Sequence, residues 1–506
     1  MSLAVLYSRA RVAIEAPLVT VEVHISPGQP GFNLVGLPEA SVKESRDRVR
    51  SAIINSHFTF PDEKITVNLA PADLPKEGGR FDLPIALGIL IASNQLPNTD
   101  IDNYEFIGEL ALTGELRPIL GEIPFTMACA NNKRIAVLPT ENAAIACHIQ
   151  HANVFSAHQL TEVFFHLSGQ KALALSTVEE KAEPELSAPS KDLTDVIGQP
   201  LAKRALEISA AGNHHLLMLG PPGTGKTMLA SRLAELLPPM TDQQALETAS
   251  VHSIVGMASD IGNWHKRPFR APHHTCSGVA LVGGSSNPRP GEISLAHNGV
   301  LFLDELPEFD RKVIDVLREP LESGMVTISR AARQADFPAK FLLVAALNPS
   351  PCGHYNDDKM RSTPDQILRY LSKLSGPFLD RIDIQIEVSR LPKGALNQNQ
   401  DRGESTVIVR ERVIQAHQLQ LNRQGKLNSD LSTREIDKYC ALTKADADFL
   451  ETAIETLGLS IRAYHRILKV ARTIADLNQQ DDVSKANLAE ALGYRAMDRL
   501  LSNLKR

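Results

Sequence analysis

Residues Gly220-Pro-Pro-Gly-Thr-Gly-Lys-Thr227 carry the strongest chemical signal in the chain. They satisfy G-x-x-x-x-G-K-[ST], a loop whose glycines (Gly220, Gly223, Gly225) let the backbone curl until its N–H groups face phosphate oxygens. Lys226 adds a point charge at the same place, and Thr227 offers a hydroxyl to Mg²⁺. Pro221, Pro222 and Thr224 fill the remaining loop positions. The context is the one the loop requires. HLLMLG (His215–Gly220) reads as an apolar strand feeding into it, and MLASRLAELL reads as a helix leaving it.

A second element supplies the matching acids. Leu301-Phe-Leu-Asp-Glu305 is an apolar strand ending in two carboxylates. Asp304 is expected to hold the hydration shell of Mg²⁺, and Glu305 to polarise an attacking water; two adjacent acids point to nucleotide hydrolysis as well as binding. Asn348 ends the run FLLVAALN, where its amide would reach a γ-phosphate or that water. Arg381, in GPFLDRIDI, lies on a turn before a strand and fits an arginine finger acting in a neighbouring subunit's site. Arg462, in LSIRAYHRILKVAR, opens a C-terminal helix and would close over the nucleotide from a lid; Arg466, one turn on, competes for that role.

The elements that must position these residues follow from hydrophobic patterning. VTVEVHI (Val19–Ile25) and KITVNLA (Lys64–Ala70) alternate with period two, and Leu83–Ala92 is long enough for a buried helix, so residues 1–168 read as a mixed α and β domain. Residues 169–191 are rich in Glu, Ala, Ser and Pro and read as a linker. Residues 192–392 alternate helices with near-continuous apolar strands, the pattern of a parallel sheet covered on both faces. Beyond Leu391 no strand pattern appears. Val407–Gln420, Asp446–Leu457, Ile461–Leu477 and Ser484–Ala491 read as helices, making residues 393–506 a helical lid domain.

Composition narrows the class. The 506 residues carry 53 Lys and Arg against 59 Asp and Glu, a formal charge of −6, with 43% hydrophobic and 22% charged residues. That is a globular chain long enough for about three or four domains, and it excludes disordered, collagenous and coiled-coil classes. The five cysteines (Cys129, Cys147, Cys276, Cys352, Cys440) are scattered without a CxxC pair, which fits reduced thiols. With no secretory signal and no long apolar run, a cytoplasmic protein with no membrane span is expected.

Together these residues resemble the magnesium-chelatase-like branch of the AAA+ ATPases, and the whole chain resembles the ComM/YifB family. The resemblance rests on Asp195-Val-Ile-Gly-Gln199, Arg270-Ala-Pro-His-His-Thr-Cys-Ser277, the run from Pro290 to Glu305, Ser375-Gly-Pro-Phe-Leu-Asp-Arg-Ile-Asp383 and Arg462-Ala-Tyr-His-Arg-Ile-Leu468. It implies an α/β phosphate-loop AAA+ module with a helical C-terminal lid. It also implies that Val196 and Ile197 lie beside adenine, that ATP and Mg²⁺ are the ligands, and that a homo-hexameric ring works on single-stranded and branched DNA. The ComM members are branch-migration helicases of natural transformation, with recombination machinery as a candidate partner; nothing legible supports chelatase activity.

Residues 1–168 resemble a Lon-type domain on a ribosomal-S5-like fold, through Pro75-Lys-Glu-Gly-Gly-Arg-Phe-Asp-Leu-Pro84 and Gly108–Pro118. The positions of the Lon nucleophile and its lysine hold Arg80 and, nearby, Ile123, so a non-proteolytic platform is expected. Lys76 and Arg80 are candidate phosphate contacts there, or plain surface charges.

Charge is concentrated in the ATPase module. No acid lies between Ile261 and Gly291, while Lys266, Arg267, Arg270 and Arg289 do, and the family carries a pore insertion at that place. Met325–Phe341 reads as a basic hairpin with Arg330, Arg333 and Lys340. Lys266, Arg267, Arg330 and Arg333 are the expected DNA contacts, binding the phosphate backbone without sequence preference. His273, His274, Cys276, Cys352 and His354 admit a zinc site or ordinary packing. A protein-remodelling ATPase and a slow nucleotide-switched scaffold are the rival functions; arginines rather than aromatic–apolar–Gly in the candidate loops favour DNA.

Overall fold

A computed structural model describes residues 2–36, 42, 44–97, 100–177, 189–257, 263–284, 288–330, 333–355, 360–391 and 402–505. At the N-terminus β1 (Ser2–Arg9), β2 (Leu18–Ser26), β3 (Gly31–Val35) and β4 (Lys64–Ala70) form a sheet in the order β1-β2-β4-β3. Alternation is kept along β2: Val19, Val21, Val23 and Ile25 point into the core. Helix α2 (Asp82–Ala92) packs on β1 and β2, and α1 (Ser45–Asn55) packs against α2. Every residue of α2 is buried, as its unbroken apolar run requires, and a Cβ at Gly88 would lie 2.5 Å from Val23. A second, parallel sheet pairs β5 (Tyr104–Phe106), β6 (Ile135–Pro139) and β7 (Val154–Ala157), with α3 (Glu122–Asn131), α4 (Thr140–Ala146) and α5 (Leu160–Leu167) around it.

The expected linker begins later than residue 169. Leu173 packs on the N-terminal core, Leu175 bridges Phe155, and the Ser176 N–H donates to Val154 O at 2.8 Å. Leu173 supplies the apolar contact and the backbone bonds at Leu175 and Ser176 hold the rest, so the stretch stays with the first unit. Residues 178–188 of the linker lie outside the described ones.

The second unit contains α6 (Pro200–Gly212), β8 (Leu216–Leu219), α7 (Lys226–Leu236), α8 (Asp242–Ile254), β9 (Phe269–Arg270), α9 (Gly278–Val282), α10 (Glu292–Leu295) and β10 (Val300–Leu303). A hairpin of β11 (Met325–Arg330) and β12 (Arg333–Pro338) precedes β13 (Leu342–Leu347), α11 (Gly376–Leu379) and β14 (Ile384–Glu387). The five-stranded sheet is parallel, ordered β9-β10-β13-β8-β14. All residues of β8, β10 and β13 are buried, which is why these strands read as continuous apolar runs rather than alternating ones.

C-terminal to the sheet lie α12 (Thr406–Gln424), α13 (Lys444–Leu457), α14 (Ile461–Leu477), α15 (Lys485–Gly493) and α16 (Ala496–Lys505). Helices α12 and α14 share one buried cluster with α6, α7 and four sheet strands. The last helix departs from the expected lid: Met497 and Leu500 of α16 enter the cluster on the opposite face of the sheet, with Leu371 and Phe378, and Arg495 bridges Gln385.

The two units are joined by an apolar seam. Ile123, Ile145 and Ile149 of the first pack on Met240, Ala245, Ala249 and Trp264 of the second, and the Trp264 indole stacks on His148 at 4.7 Å. Polar bonds flank it: the Gly121 N–H donates to Ser253 O at 3.1 Å, and Arg11 donates to Ile254 O at 3.3 Å. Trp264→Ala, which empties the centre of this seam, is expected to destabilise the chain by about 3 kcal/mol. The check is the urea midpoint of the first unfolding transition; an unchanged midpoint would show that the seam carries no stability.

Candidate functional site

The phosphate loop leaves β8 at Gly220, where any Cβ would lie 2.3 Å from Val388 O of the strand-end next door. Gly223 and Gly225 take φ of +79° and +89°, which other residues adopt only with strain, and nothing lies within 4 Å of a Cβ at either. The loop is thus a cradle open on one side. Helix α7 begins at Lys226 and turns its N-terminal N–H groups to the same side. Within the loop the Thr224 hydroxyl donates to Pro221 O at 3.0 Å.

Lys226 is buried, and its ammonium donates to Gly220 O at 2.7 Å, Pro221 O at 3.0 Å and Asn348 Oδ1 at 3.2 Å. Burial pushes its pKa down, against the pull of Asp304 and Glu305. Thr227 Oγ1 donates to Asp304 Oδ2 at 2.7 Å. A hydroxyl and a carboxylate converging beside an open cradle are hard oxygen donors suited to Mg²⁺. The residues present therefore fit the metal, and Lys226, Thr227, Asp304 and Asn348 come together as expected.

Glu305 adopts φ of +51°, with its N–H on Asp304 Oδ1 at 2.9 Å, so the two carboxylates diverge. Asp304 stays with Thr227, while Glu305 Oε2 lies 3.2 Å from His274 Nδ1. This contact is not among the sequence expectations for His274, which reads there as a metal candidate or an ordinary packed residue. The signal that would have found it is the parallel pairing of β9 with β10: Arg270 sits opposite Leu301, so residues leaving the two strands at the same sheet edge become neighbours. The His273 and His274 rings lie 4.1 Å apart, tilted by 34°. Among the described residues no group of three or more His, Cys, Asp or Glu comes together as metal ligands. Cys352 instead faces Ser350 Oγ at 3.1 Å, and hydrogen bonds from Ser350 and Ser362 lower its thiol to about 6.

Arg381 and Arg462 lie outside that cluster. Arg381 pairs with Glu322 and donates to Pro377 O, beside Asp315 and Arg318. The Arg462 side chain is 70% exposed and 3.6 Å from Asp380. Its rival Arg466 is half-buried and engaged by the buried Asp383 at 2.6 Å. Burial alone would raise the Asp383 carboxyl, but Arg466 and then His214 outweigh it and hold it well below the usual carboxylate range. Val196 is buried in the second unit's core and Ile197 half-buried, ahead of a left-handed Gly198 that abuts Leu391.

The charged candidates divide. Arg267 is a correction: it donates to Pro238 O at 2.6 Å, Asn298 O at 2.7 Å and Gln244 Oε1 at 3.2 Å, and burial lowers its pKa to about 10. It ties α8 to the chain before β10 and leaves no guanidinium edge for DNA. Arg270 is likewise neutralised by both oxygens of Glu292, at 2.7 and 2.8 Å. Lys266 and Arg289 remain exposed, with Lys266 3.9 Å from Glu235. Lys76 and Arg80 are not surface charges either. Both are buried, Lys76 on Pro71 O and Arg80 3.4 Å from Leu120 O, and desolvation lowers Arg80 to about 9.

In the hairpin, Val326, Ile328, Ala335 and Phe337 are buried on one face, while Thr327, Ser329, Gln334 and Asp336 are exposed on the other. The register sets Arg330 directly opposite Arg333 at the closed end.

Three family models match the chain: "Magnesium chelatase, subunit ChlI" over residues 192–396, "Subunit ChlI of Mg-chelatase" over 21–142 and "Magnesium chelatase, subunit ChlI C-terminal" over 403–495. With the parallel sheet and its phosphate loop they define an AAA+ protein of the magnesium-chelatase type. Competence protein ComM of Haemophilus influenzae is 58% identical over 506 residues, covering 100% of this chain and 99% of that protein. YifB of Salmonella typhimurium is 54% identical over the same 506 residues, with coverage of 100% and 99%. The chloroplastic magnesium-chelatase subunit ChlI of Chlamydomonas reinhardtii is 25% identical over 288 residues, 51% of this chain and 66% of that protein. The chain belongs to the ComM/YifB family.

Two outcomes follow from the geometry. Lys226→Ala should abolish nucleotide binding, whereas Glu305→Gln should retain binding and slow turnover by about a hundredfold or more; equilibrium binding and phosphate release separate the two, and near-normal turnover in Glu305→Gln would remove Glu305 from water activation. Arg267→Ala should lower thermal stability while leaving the salt dependence of DNA binding unchanged, since it strands three half-buried acceptors rather than a phosphate contact. A flatter salt slope at unchanged stability would restore Arg267 as a DNA contact.

Proposed function

We infer that the chain hydrolyses ATP with Mg²⁺ in a homo-hexameric ring and uses the energy to drive branch migration of DNA recombination intermediates, as in natural transformation. The observation that carries the DNA reading is the register of the hairpin. Register pairs Arg330 with Arg333 across the closed end of a hairpin whose base is buried in the core. Two cations at one end of a hairpin suit a polyanion, which a polypeptide has no general reason to be. The competence role in the name of the Haemophilus relative supports the same direction.

In the mechanism, the loop N–H groups and the α7 N-terminus bind the phosphates, and Lys226 turns from the Gly220 and Pro221 carbonyls to phosphate oxygens. Thr227 and Asp304 would hold Mg²⁺, which supplies positive charge to the transferring phosphoryl group. Asn348, already aligned by Lys226, orients the γ-phosphate or the water. Glu305 takes the water's proton once His274 releases its carboxylate. Arg381 of one subunit stabilises charge in the next subunit's site, and Arg462 closes from the lid. The hairpin, packed by Val326 and Phe337 against the cluster that contains Leu303 and Leu347, ties the arginine end to the strands bearing Asp304 and Asn348.

The test is ATP turnover with single-stranded DNA, three-way junctions or unfolded protein added. DNA, and junctions most strongly, should stimulate several-fold; stimulation by unfolded protein alone would replace this reading with protein remodelling. Charge reversal at Arg330 and Arg333 together should remove the stimulation and keep basal turnover. It should also flatten the salt dependence of DNA binding, by about 0.7 to 0.9 in log–log slope for each phosphate no longer neutralised.

A further inference from the structure

The segment 192–199, which leads into α6, is fastened at three places. On one side is Arg232, on the helix that leaves the phosphate loop. Its Nε donates to Asp192 O at 3.2 Å and its Nη2 to Asp195 Oδ2 at 3.0 Å, while Nη1 donates to Met228 O of its own helix at 3.1 Å. A guanidinium that holds a carbonyl and a carboxylate at once fixes angle as well as distance. On the other side is Thr406, the first residue of α12. Its hydroxyl accepts from the Leu193 N–H at 2.8 Å, and its N–H donates to Asp192 Oδ2 at 3.3 Å. The third fastening is Gln199, left-handed at φ +56°, whose side-chain amide donates to Ser389 O at 2.6 Å. Ser389 follows Val388, the residue whose carbonyl closes over Gly220. Between Asp195 and Gln199 lies Ile197, half-buried, whose N–H and C=O bond no protein group among the described residues.

We propose that Arg232 is a positioning residue for base selection, holding the Ile197 backbone at a fixed distance from the phosphate cradle so that adenine is accepted and guanine refused. The idea deepens the ATP reading of this site and rests on Val196 and Ile197 lying beside the base. The discriminating group is the Ile197 carbonyl. Adenine carries an amino donor where guanine carries a carbonyl acceptor, so guanine sets two acceptors face to face with no proton between them. That mismatch costs affinity only while the segment cannot retreat and admit water. Helix α7 begins in the cradle at Lys226 and carries Arg232 further along, so one rigid element sets both the cradle and the base segment. The Asp195 side chain is 52% exposed, so the clamp can be cut there without opening the core.

The test is equilibrium binding of the full-length chain to the non-hydrolysable imido analogues of ATP and GTP and to inorganic tripolyphosphate, which has no base. Wild type should prefer the adenine analogue to the guanine analogue by about tenfold or more. Arg232→Ala, and Asp195→Ala from the exposed side of the clamp, should each cut that preference by about fivefold or more, through weaker binding of the adenine analogue. Tripolyphosphate affinity should not change, which a folding defect or a damaged cradle could not give. Equal loss of all the probes would make Arg232 a support of the loop alone, and an undiminished preference would make the clamp irrelevant; either result overturns the proposal. The base reading is checked separately by photolabelling wild type with an azido-adenine triphosphate and mapping the labelled peptide. Label away from the peptide containing Ile197 would remove that residue from the base and the proposal with it. Label on that peptide keeps the reading, and the binding comparison then decides the role of Arg232.

Discussion

Strand β8 is hydrogen-bonded to β13 on one side and β14 on the other, and that adjacency constrains everything chemical in the molecule. All strands run the same way, so every residue that leaves a strand leaves at one edge. The phosphate loop leaves β8, Asn348 leaves β13, and Asp304 and Glu305 leave β10 one strand further on. Lys226 is held at their meeting point by two loop carbonyls and the Asn348 amide, a buried cation whose ligands are all neutral. Desolvation disfavours the charge there, and phosphate offers what the carbonyls cannot. The same edge sets His274 against Glu305, and β14, on the far side of β8, begins just after the turn that bears Arg381.

The N-terminal unit is bound to this machinery through α8. The positions that would serve a protease serve packing here: Arg80 is buried and Ile123 lies in the seam with Trp264. Helix α8 in turn supports the chain before β10, through Thr248 to His297 O at 3.3 Å and His252 to Leu295 O at 2.9 Å. The N-terminal unit thus bears on the segment that leads into Asp304 and Glu305. A unit with that attachment has a physical route to the phosphate-loop site through packing alone.

Much of this was legible in the sequence because it is local or periodic. The buried strands are continuous apolar runs, Ile461–Leu477 is helical over the whole expected span, and the loop, Asp304 and Asn348 meet because parallel topology leaves few alternatives. The charge reading was less secure, because composition does not say which cations are already matched. Arg267 and Arg270 fall in a stretch without acids, yet one is satisfied by backbone carbonyls and the other by Glu292 just beyond the stretch. The return of α16 to the core and the His274–Glu305 contact depend on long-range packing that no periodicity encodes. The net charge of −6 says little about the hairpin end, where register alone brings two arginines together.

The central claim is that hydrolysis at the β8 edge moves DNA strands. The most direct measurement is strand exchange on a mobile three-way junction, followed in real time with labelled arms under saturating ATP and Mg²⁺. The wild-type chain should resolve the junction at a rate that vanishes in Glu305→Gln, although that variant still binds the junction and ATP. Exchange at equal rates in both proteins, or no exchange by a wild-type chain that hydrolyses ATP on the same junction, would contradict it.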